Sequence, residues 1–399
     1  MIGKKIERNL ESNITDPISL HTYFLMLVFG SGFINKFQFG AGISVQLIFI
    51  LGFIVTYLIF CYKKKLDFHN FSILLLLYWC VLAVSTAIST YVSIERDTFP
   101  FLISTLFFLL VTSIKYNKRE ISFILSSYIK ISDIVSLSVL INFYNKNNYL
   151  WKRYTATFFG IDKDPNYTAA FLVPAAVLLF MKIIKNKEKN KSNFIELLLI
   201  VAAILMTNSR AGFLMLLISY SYMILTLILN SEMKNKSKIF VVFFVAILIV
   251  VLVTNYEGIL ESDSFNRVLN FENYMDSSRL NVWKYALSLL NGEFLLGLGY
   301  GGAVQYLLSA YSIVSHNVYI DILTSTGLIG ATVMIMVFIS LINGKKNDRP
   351  YIKSLFFAFF GPLFFINGFN TSMFWTPMMI VGIISVYSRK NKEFILNWI

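Results

Sequence analysis

The chain has little charge, little cysteine and little histidine. Only 14% of its 399 residues are Asp, Glu, Lys or Arg, where a soluble domain carries about 25%. A soluble enzyme and a disordered chain are excluded on that ground. Its two cysteines, Cys61 and Cys80, form no CxxC pair, which removes a secreted disulfide scaffold and any thiol-based redox or metal framework. Three histidines without an HExxH string argue against a zinc site, so no metal and no cofactor are expected. Internal repeats are missing too, since the two halves differ in loop length. The first 17 residues are polar and no small-residue cleavage site follows the first apolar run, so no cleavable leader is expected.

What the chain does have is apolar residues, 56% of the total with a mean hydropathy of +0.66. They fall into continuous blocks, several near the ~20 residues that cross a hydrocarbon core of about 30 Å. A transmembrane β-barrel would alternate over strands of about 10 residues instead. The expectation is an all-α polytopic membrane protein of about twelve transmembrane helices. The spans read as 19–36, 41–61, 71–92, 99–114, 121–143, 167–184, 194–208, 211–229, 239–254, 318–343, 355–369 and 376–388.

The net charge of +13 is a matter of placement rather than a nucleic-acid footprint. Alternate connections collect 24 of the 35 basic residues, from Lys4, Lys5 and Arg8 through Lys63 to Lys65, the Lys182–Lys191 cluster, Lys345, Lys346 and Arg349 to Arg389, Lys390 and Lys392. The other connections hold ten. Cytoplasmic loops accumulate Lys and Arg, so both termini are expected in the cytoplasm and the protein in the cytoplasmic membrane. The outer face then owns two long connections, about 144–166 and 255–317, the second between the ninth and tenth spans. Long connections of this kind are usually functional. The chain divides accordingly into residues 1–143 with spans one to five, 144–345 with the outer loop, and 346–399 with the last two spans.

Four places could carry chemistry. In Thr207-Asn208-Ser209-Arg210-Ala211-Gly212 an arginine sits between two spans with almost no loop. It is either a snorkelling helix terminator or a guanidinium whose planar fork faces a membrane-borne anion. In the large loop, Asp276-Ser277-Ser278-Arg279 precedes Leu280, Trp283, Leu287 and Leu290, the spacing of an amphipathic helix with a serine or aspartate cap. Arg279 is either solvated or held over an anion. Gly297-Leu298-Gly299-Tyr300-Gly301-Gly302 lacks the βαβ context of a nucleotide site and reads first as a flexible re-entry loop. Ser315-His316-Asn317 places the one expected outer histidine at the start of a span, as a helix cap or as a general base near neutral pH. Gly327 and Gly330 follow inside that span, where small residues allow close packing. Lys130 and Asp133, three apart in the fifth span, can pair on one helix face.

Taken in order, Ser209-Arg210, Ser278-Arg279 with Trp283, Gly297-Leu298-Gly299-Tyr300, His316-Asn317-Val318-Tyr319 and Gly327-Leu328-Ile329-Gly330 resemble the O-antigen ligase and O-antigen polymerase superfamily. Arg153 with Asp164-Pro165-Asn166 also looks like that family's R…PN element. The resemblance spans roughly residues 150–345. It implies a GT-C-like, metal-independent, inverting glycosyltransferase that uses sugars on undecaprenyl diphosphate at the outer leaflet. His316 would be the catalytic base, with Asp263, Asp276 or Asp321 as fallbacks. Arg210 and Arg279 would bind the diphosphate, and Arg153, Asn166, Arg267 and Asn317 are further candidates for substrate binding. Implied partners are the lipid-linked oligosaccharides, membrane lipid, and the flippase and chain-length regulator of the same pathway, with no nucleic acid. A composition rich in Lys, Asn, Ile and Phe fits an AT-rich genome, common in Gram-positive bacteria, which have no lipopolysaccharide core to ligate, although AT-rich Gram-negatives exist. The expectation is therefore a repeat-unit polymerase for capsular, exo- or O-antigen polysaccharide, with an O-antigen ligase as the alternative. A lipid-linked oligosaccharide flippase should show two similar halves, and the single long loop speaks against it.

Overall fold

The computed structural model describes residues 17–34, 38–39, 43–61, 66–89, 98–145, 153–185, 191–229, 278–366 and 372–390. The expected span 239–254, Arg267, Asp263, Asp276 and the first part of the large loop lie outside the described residues. The protein is nearly all-α. Helices run in order as α1 (Leu20–Ser31), α2 (Val45–Cys61), α3 (Asn70–Ile88), α4 (Thr98–Ser113), α5 (Lys118–Asn145), α6 (Pro165–Lys185), α7 (Lys191–Met206) and α8 (Arg210–Leu229). They continue as α9 (Ser278–Ser288), α10 (Gly302–Tyr311), α11 (Val318–Leu341), α12 (Arg349–Phe360) and α13 (Ser372–Lys390). Every expected span within the described residues contains a helix. Among the described residues four helices are long and apolar enough to cross a membrane, Asn70–Ile88, Lys118–Asn145, Pro165–Ile184 and Val318–Leu341. Shorter apolar helices are Leu20–Ser31, Val45–Phe60, Phe101–Ser113 and Ala211–Thr226.

Three features depart from the simple pattern. The apolar run at 355–369 is not one helix: α12 starts at Arg349 and gives way at Gly361-Pro362 to a 3-10 turn, Gly361–Phe364. Two antiparallel ladders of two residues each, Gln38–Phe39 with Ile43–Ser44 and Thr157–Phe158 with Ile161–Asp162, punctuate the connections. The described half of the large loop is not irregular, because it carries α9 and α10.

Helix α6 is the centre of the bundle. Leu172, Val173 and every residue from Ala175 to Met181 have no exposed surface. A helix apolar on all sides must be covered on all sides, and α5, α7, α8 and α12 pack around it. Pro165 opens it at a position where no backbone donor is needed. Pro174 lies inside it and removes a backbone donor from the ladder. Nearby, the Tyr128 hydroxyl of α5 donates to the carbonyl of Phe171 at 2.5 Å, and the Tyr220 hydroxyl of α8 donates to that of Ala176 at 3.1 Å. Neighbouring helices thus add hydrogen bonds to α6 carbonyls on either side of Pro174.

Helix α11 is broken at Gly327, whose φ of 61° and ψ of −162° are not helical. The break is filled by the loop ahead of α10. The Leu328 and Ile329 N–H groups donate to the carbonyls of Phe294 and Leu295 at 2.9 and 3.2 Å, and the Leu298 N–H donates to the Thr324 carbonyl at 2.8 Å. Ser85 of α3 donates to the Ser325 carbonyl at 2.8 Å, and Ser89 to the Leu298 carbonyl at 2.6 Å. Gly299 and Tyr300 N–H groups return bonds to the Ser85 and Thr86 hydroxyls. The glycine string is therefore a packed re-entry loop rather than a flexible one. Gly327 serves the close approach of this loop: a Cβ on it would lie 2.3 Å from the Leu295 carbonyl oxygen.

Candidate functional site

The N-termini of α6, α8, α9 and α11 are linked pairwise at one end of the bundle. Their orphan backbone donors and dipoles give such an end a positive character that suits anions.

The first link joins α6 to α8. Asn208 adopts a left-handed backbone with φ of 48°, which turns the chain sharply after α7. Ser209, buried, then caps α8 by accepting the Gly212 N–H at 3.3 Å. Its own hydroxyl proton goes to Asn166 Oδ1 at 2.9 Å. The same oxygen accepts the exposed Arg153 Nη2 at 2.8 Å. Asn166 is oriented by its backbone N–H, which donates to Asp164 Oδ1 at 2.7 Å. Arg210 is the first residue of α8, and its side chain lies outside the described set.

The second link joins α9 to α11. The Trp283 indole N–H donates to the Ser315 carbonyl at 2.6 Å. Ser315 and Asn317 are buried. The Ser315 hydroxyl donates to Asp321 Oδ1 and accepts the Asn317 N–H at 3.1 Å. Asn317 caps α11: its Oδ1 accepts the N–H groups of Tyr319 and Ile320 at 3.0 and 3.2 Å. His316, half-buried between them, has a left-handed φ of 49°.

The third link is electrostatic. Burial holds the His316 imidazole below its usual range, the Arg279 guanidinium adds to the effect, and the Asp164 carboxylate opposes it. Asp164 from the segment before α6 and Arg279 from α9 thus both act on His316. Asp321 and Asp164 are likewise electrostatic neighbours of Tyr167 in the first turn of α6.

Of the residues singled out in the sequence, Arg153, Asn166, Arg279, His316 and Asn317 come together at this end. Asn317 and Asn166 use their side-chain oxygens in the fold itself. Lys130 pairs with Asp133 at 3.3 Å, but also with Glu196 of α7 at 2.8 Å. The sequence spacing of Lys130 and Asp133 could not reveal that third member. The Asn166 junction, the Trp283 indole bond and the effect of Asp164 on His316 were missed as well. None has a local signature, because each joins residues far apart in the chain.

The fold and this assembly define a multi-pass helical membrane protein with cationic and imidazole side chains gathered where helix N-termini meet. Residues 195–335 match the family model described as O-Antigen ligase, a stretch that contains Ser209, Arg210, Arg279, Trp283 and His316. Over that stretch the chain is similar to the O-antigen ligase and polymerase superfamily, whose members are glycosyltransferase-like enzymes acting on lipid-linked polysaccharide. No curated protein matches the chain.

Proposed function

We propose that the protein polymerises oligosaccharide repeat units carried on undecaprenyl diphosphate at the outer face of the cytoplasmic membrane. The observation that carries the reading is a half-buried His316 at the turn before α11, within electrostatic reach of Arg279, inside the family-matched segment. A lipid-diphosphate leaving group needs fixed positive charge at the membrane surface, and an acceptor hydroxyl needs a base.

In this reading Arg210 and Arg279 hold the diphosphate of the donor, and the helix N-termini around them add partial positive charge. Both stabilise charge that grows as the glycosyl–phosphate bond breaks. His316, kept neutral by burial and Arg279, takes the proton of an acceptor hydroxyl on the incoming lipid-linked unit. That hydroxyl oxygen attacks the anomeric carbon from the side opposite the diphosphate, so the configuration inverts. The diphosphate leaves with the bonding pair. No metal is needed where arginines neutralise the leaving group. Arg153, an exposed residue, and Asn166, joined by a hydrogen bond, border the acceptor side.

The description of the matched family favours a second reading, transfer of the finished glycan to a lipid A core. The donor chemistry is the same and only the acceptor differs. Purified protein incubated with lipid-linked repeat unit alone separates the two. Formation of a ladder of longer lipid-linked glycans supports the polymerase. Transfer only when lipid A core is added overturns it in favour of the ligase. Arg210→Ala and Arg279→Ala should abolish the ladder while leaving protein in the membrane. The lysine variants should be impaired as well, since a point charge loses the bidentate fork.

A further inference from the structure

We propose that Trp283 is the positioning residue that fixes Arg279 beside His316. The catalytic meaning of that pair rests on the reading above; the positioning rests on the indole hydrogen bond from α9 to Ser315 together with the charge that Arg279 exerts on His316.

Arg279 and Trp283 are four residues apart on α9 and so share one helix face. The Trp283 indole N–H donates to the Ser315 carbonyl at 2.6 Å, across 32 residues of chain. Ser315 immediately precedes His316, so the bond anchors α9 at the residue next to the imidazole. One turn back along α9 stands Arg279. A shift of α9 along its axis or about it would change the charge that Arg279 places on His316.

The receiving turn is rigid. His316 holds a left-handed backbone, a conformation that a non-glycine residue rarely adopts. It is held there from both sides. Ser315 is tied to Asp321 and to the Asn317 N–H, and Asn317 is tied into the cap of α11. The donor helix is less secured. Val282 and Ala286 of α9 pack with Leu307 in a small cluster of their own, flanked by Trp283, Tyr285, Ile313 and Ile320 and separate from the main core. Apolar contact is non-directional, so that cluster sets the distance of α9 from α11 far better than its register. The directional indole bond sets the register.

The charged groups acting on His316 are Arg279 from α9 and Asp164 from the segment before α6. Asp321 lies one turn into α11 and is engaged by Ser315. Freeing α9 removes the Arg279 contribution and leaves Asp164 in place. The His316 titration midpoint then rises toward the ordinary value near 6.5.

The test is side-chain NMR of protein labelled at histidine, in lipid nanodiscs without substrate. The chain has three histidines, and the His316→Ala spectrum assigns the third signal by its loss. Trp283→Phe keeps an aromatic ring and removes the donor. We expect it to raise the His316 midpoint as far as Arg279→Ala does, and to add nothing in the Arg279→Ala background. A midpoint unchanged in Trp283→Phe but raised in Arg279→Ala overturns the proposal, as does no shift in either. If Trp283→Phe loses its thermal unfolding transition, 3-benzothienyl-alanine at position 283 replaces the N–H by sulfur at nearly constant shape and is held to the same expectation. Polymerisation is followed separately: full activity of His316→Ala would remove the reading of His316 as base and leave the titration result standing.

Discussion

Asn166 and Ser209 lie 43 residues apart in the chain and meet through a 2.9 Å hydrogen bond from the Ser209 hydroxyl to Asn166 Oδ1. That contact fixes the turn from which Arg210 starts α8 against the N-terminus of the central helix. The same oxygen also receives Arg153, so one amide joins two of the arginines' neighbourhoods.

Removing the acceptor should therefore cost more than removing either donor. Asn166→Leu leaves the buried Ser209 hydroxyl without that acceptor. It should destabilise the protein by about 1–3 kcal/mol, the desolvation cost of a buried polar group left unpaired. Arg153→Ala, at an exposed side chain, should cost about 1 kcal/mol or less. Asn166→Asp keeps the acceptor and should melt close to wild type. Thermal melting in a single detergent compares the three. Equal melting of Asn166→Leu and wild type would show that the junction does not hold the turn.

Gly327 should be irreplaceable, whereas Gly301 should not. At Gly327 the backbone lies in a region open essentially to glycine, worth about 1–3 kcal/mol of strain for any other residue, and a Cβ would meet the Leu295 carbonyl at 2.3 Å. At Gly301 φ is +73° but nothing stands within 4 Å of a Cβ. Gly301→Ala should carry only the backbone cost, and Gly327→Ala that cost plus displacement of the re-entry loop. Expression and melting of the pair in parallel give the comparison. Gly327→Ala as stable as Gly301→Ala would mean that the loop does not fill the break.

The pH dependence of initial rates should show a single acid limb with its midpoint below 6.5. The sign follows from the environment: burial and Arg279 both favour the neutral imidazole, so the base form persists as pH falls until that lowered value is passed. Loss of general-base assistance costs typically 10²–10⁴-fold. His316→Ala should fall by that factor and accumulate unpolymerised lipid-linked units. His316→Gln should not rescue it, because an amide does not take the proton. His69→Ala, expected on the cytoplasmic side, should stay near wild type. Polymerisation by His316→Gln at the wild-type rate would make the residue a turn former only, and Asp321 the next carboxylate to examine.

Topology is tested outside the described residues. The 24-to-10 distribution of basic residues puts residues 255–317 outside and the 230–238 segment inside. In a background without Cys61 and Cys80, a membrane-impermeant maleimide should label Ser264→Cys and not Ser237→Cys in intact cells. The reverse pattern would invert the protein and move His316 away from any outer-leaflet substrate.

The apolar blocks alone pointed to a helical membrane protein, and in the described parts each expected span contains a helix, although that at 355–369 begins earlier, at Arg349, and ends at Phe360. Partition into a bilayer is nearly additive along a segment, so a one-dimensional hydropathy record carries it. The chemistry on offer was legible too. A chain so poor in histidine draws attention to His316, and Arg210 and Arg279 stand at helix starts that capping and periodicity reveal. Which of these side chains meet is a different kind of fact. It depends on the rotation and register of whole helices, which many weak contacts decide together. Only the tertiary structure could therefore join Asn166 to Ser209, set Arg279 and Asp164 on opposite sides of the His316 charge balance, and bring Glu196 to the Lys130–Asp133 pair. The same holds for Gly297 and Gly327. Their spacing suggested flexibility at one and helix packing at the other, yet each glycine accommodates the backbone beside the other, in a helix break that local sequence does not announce.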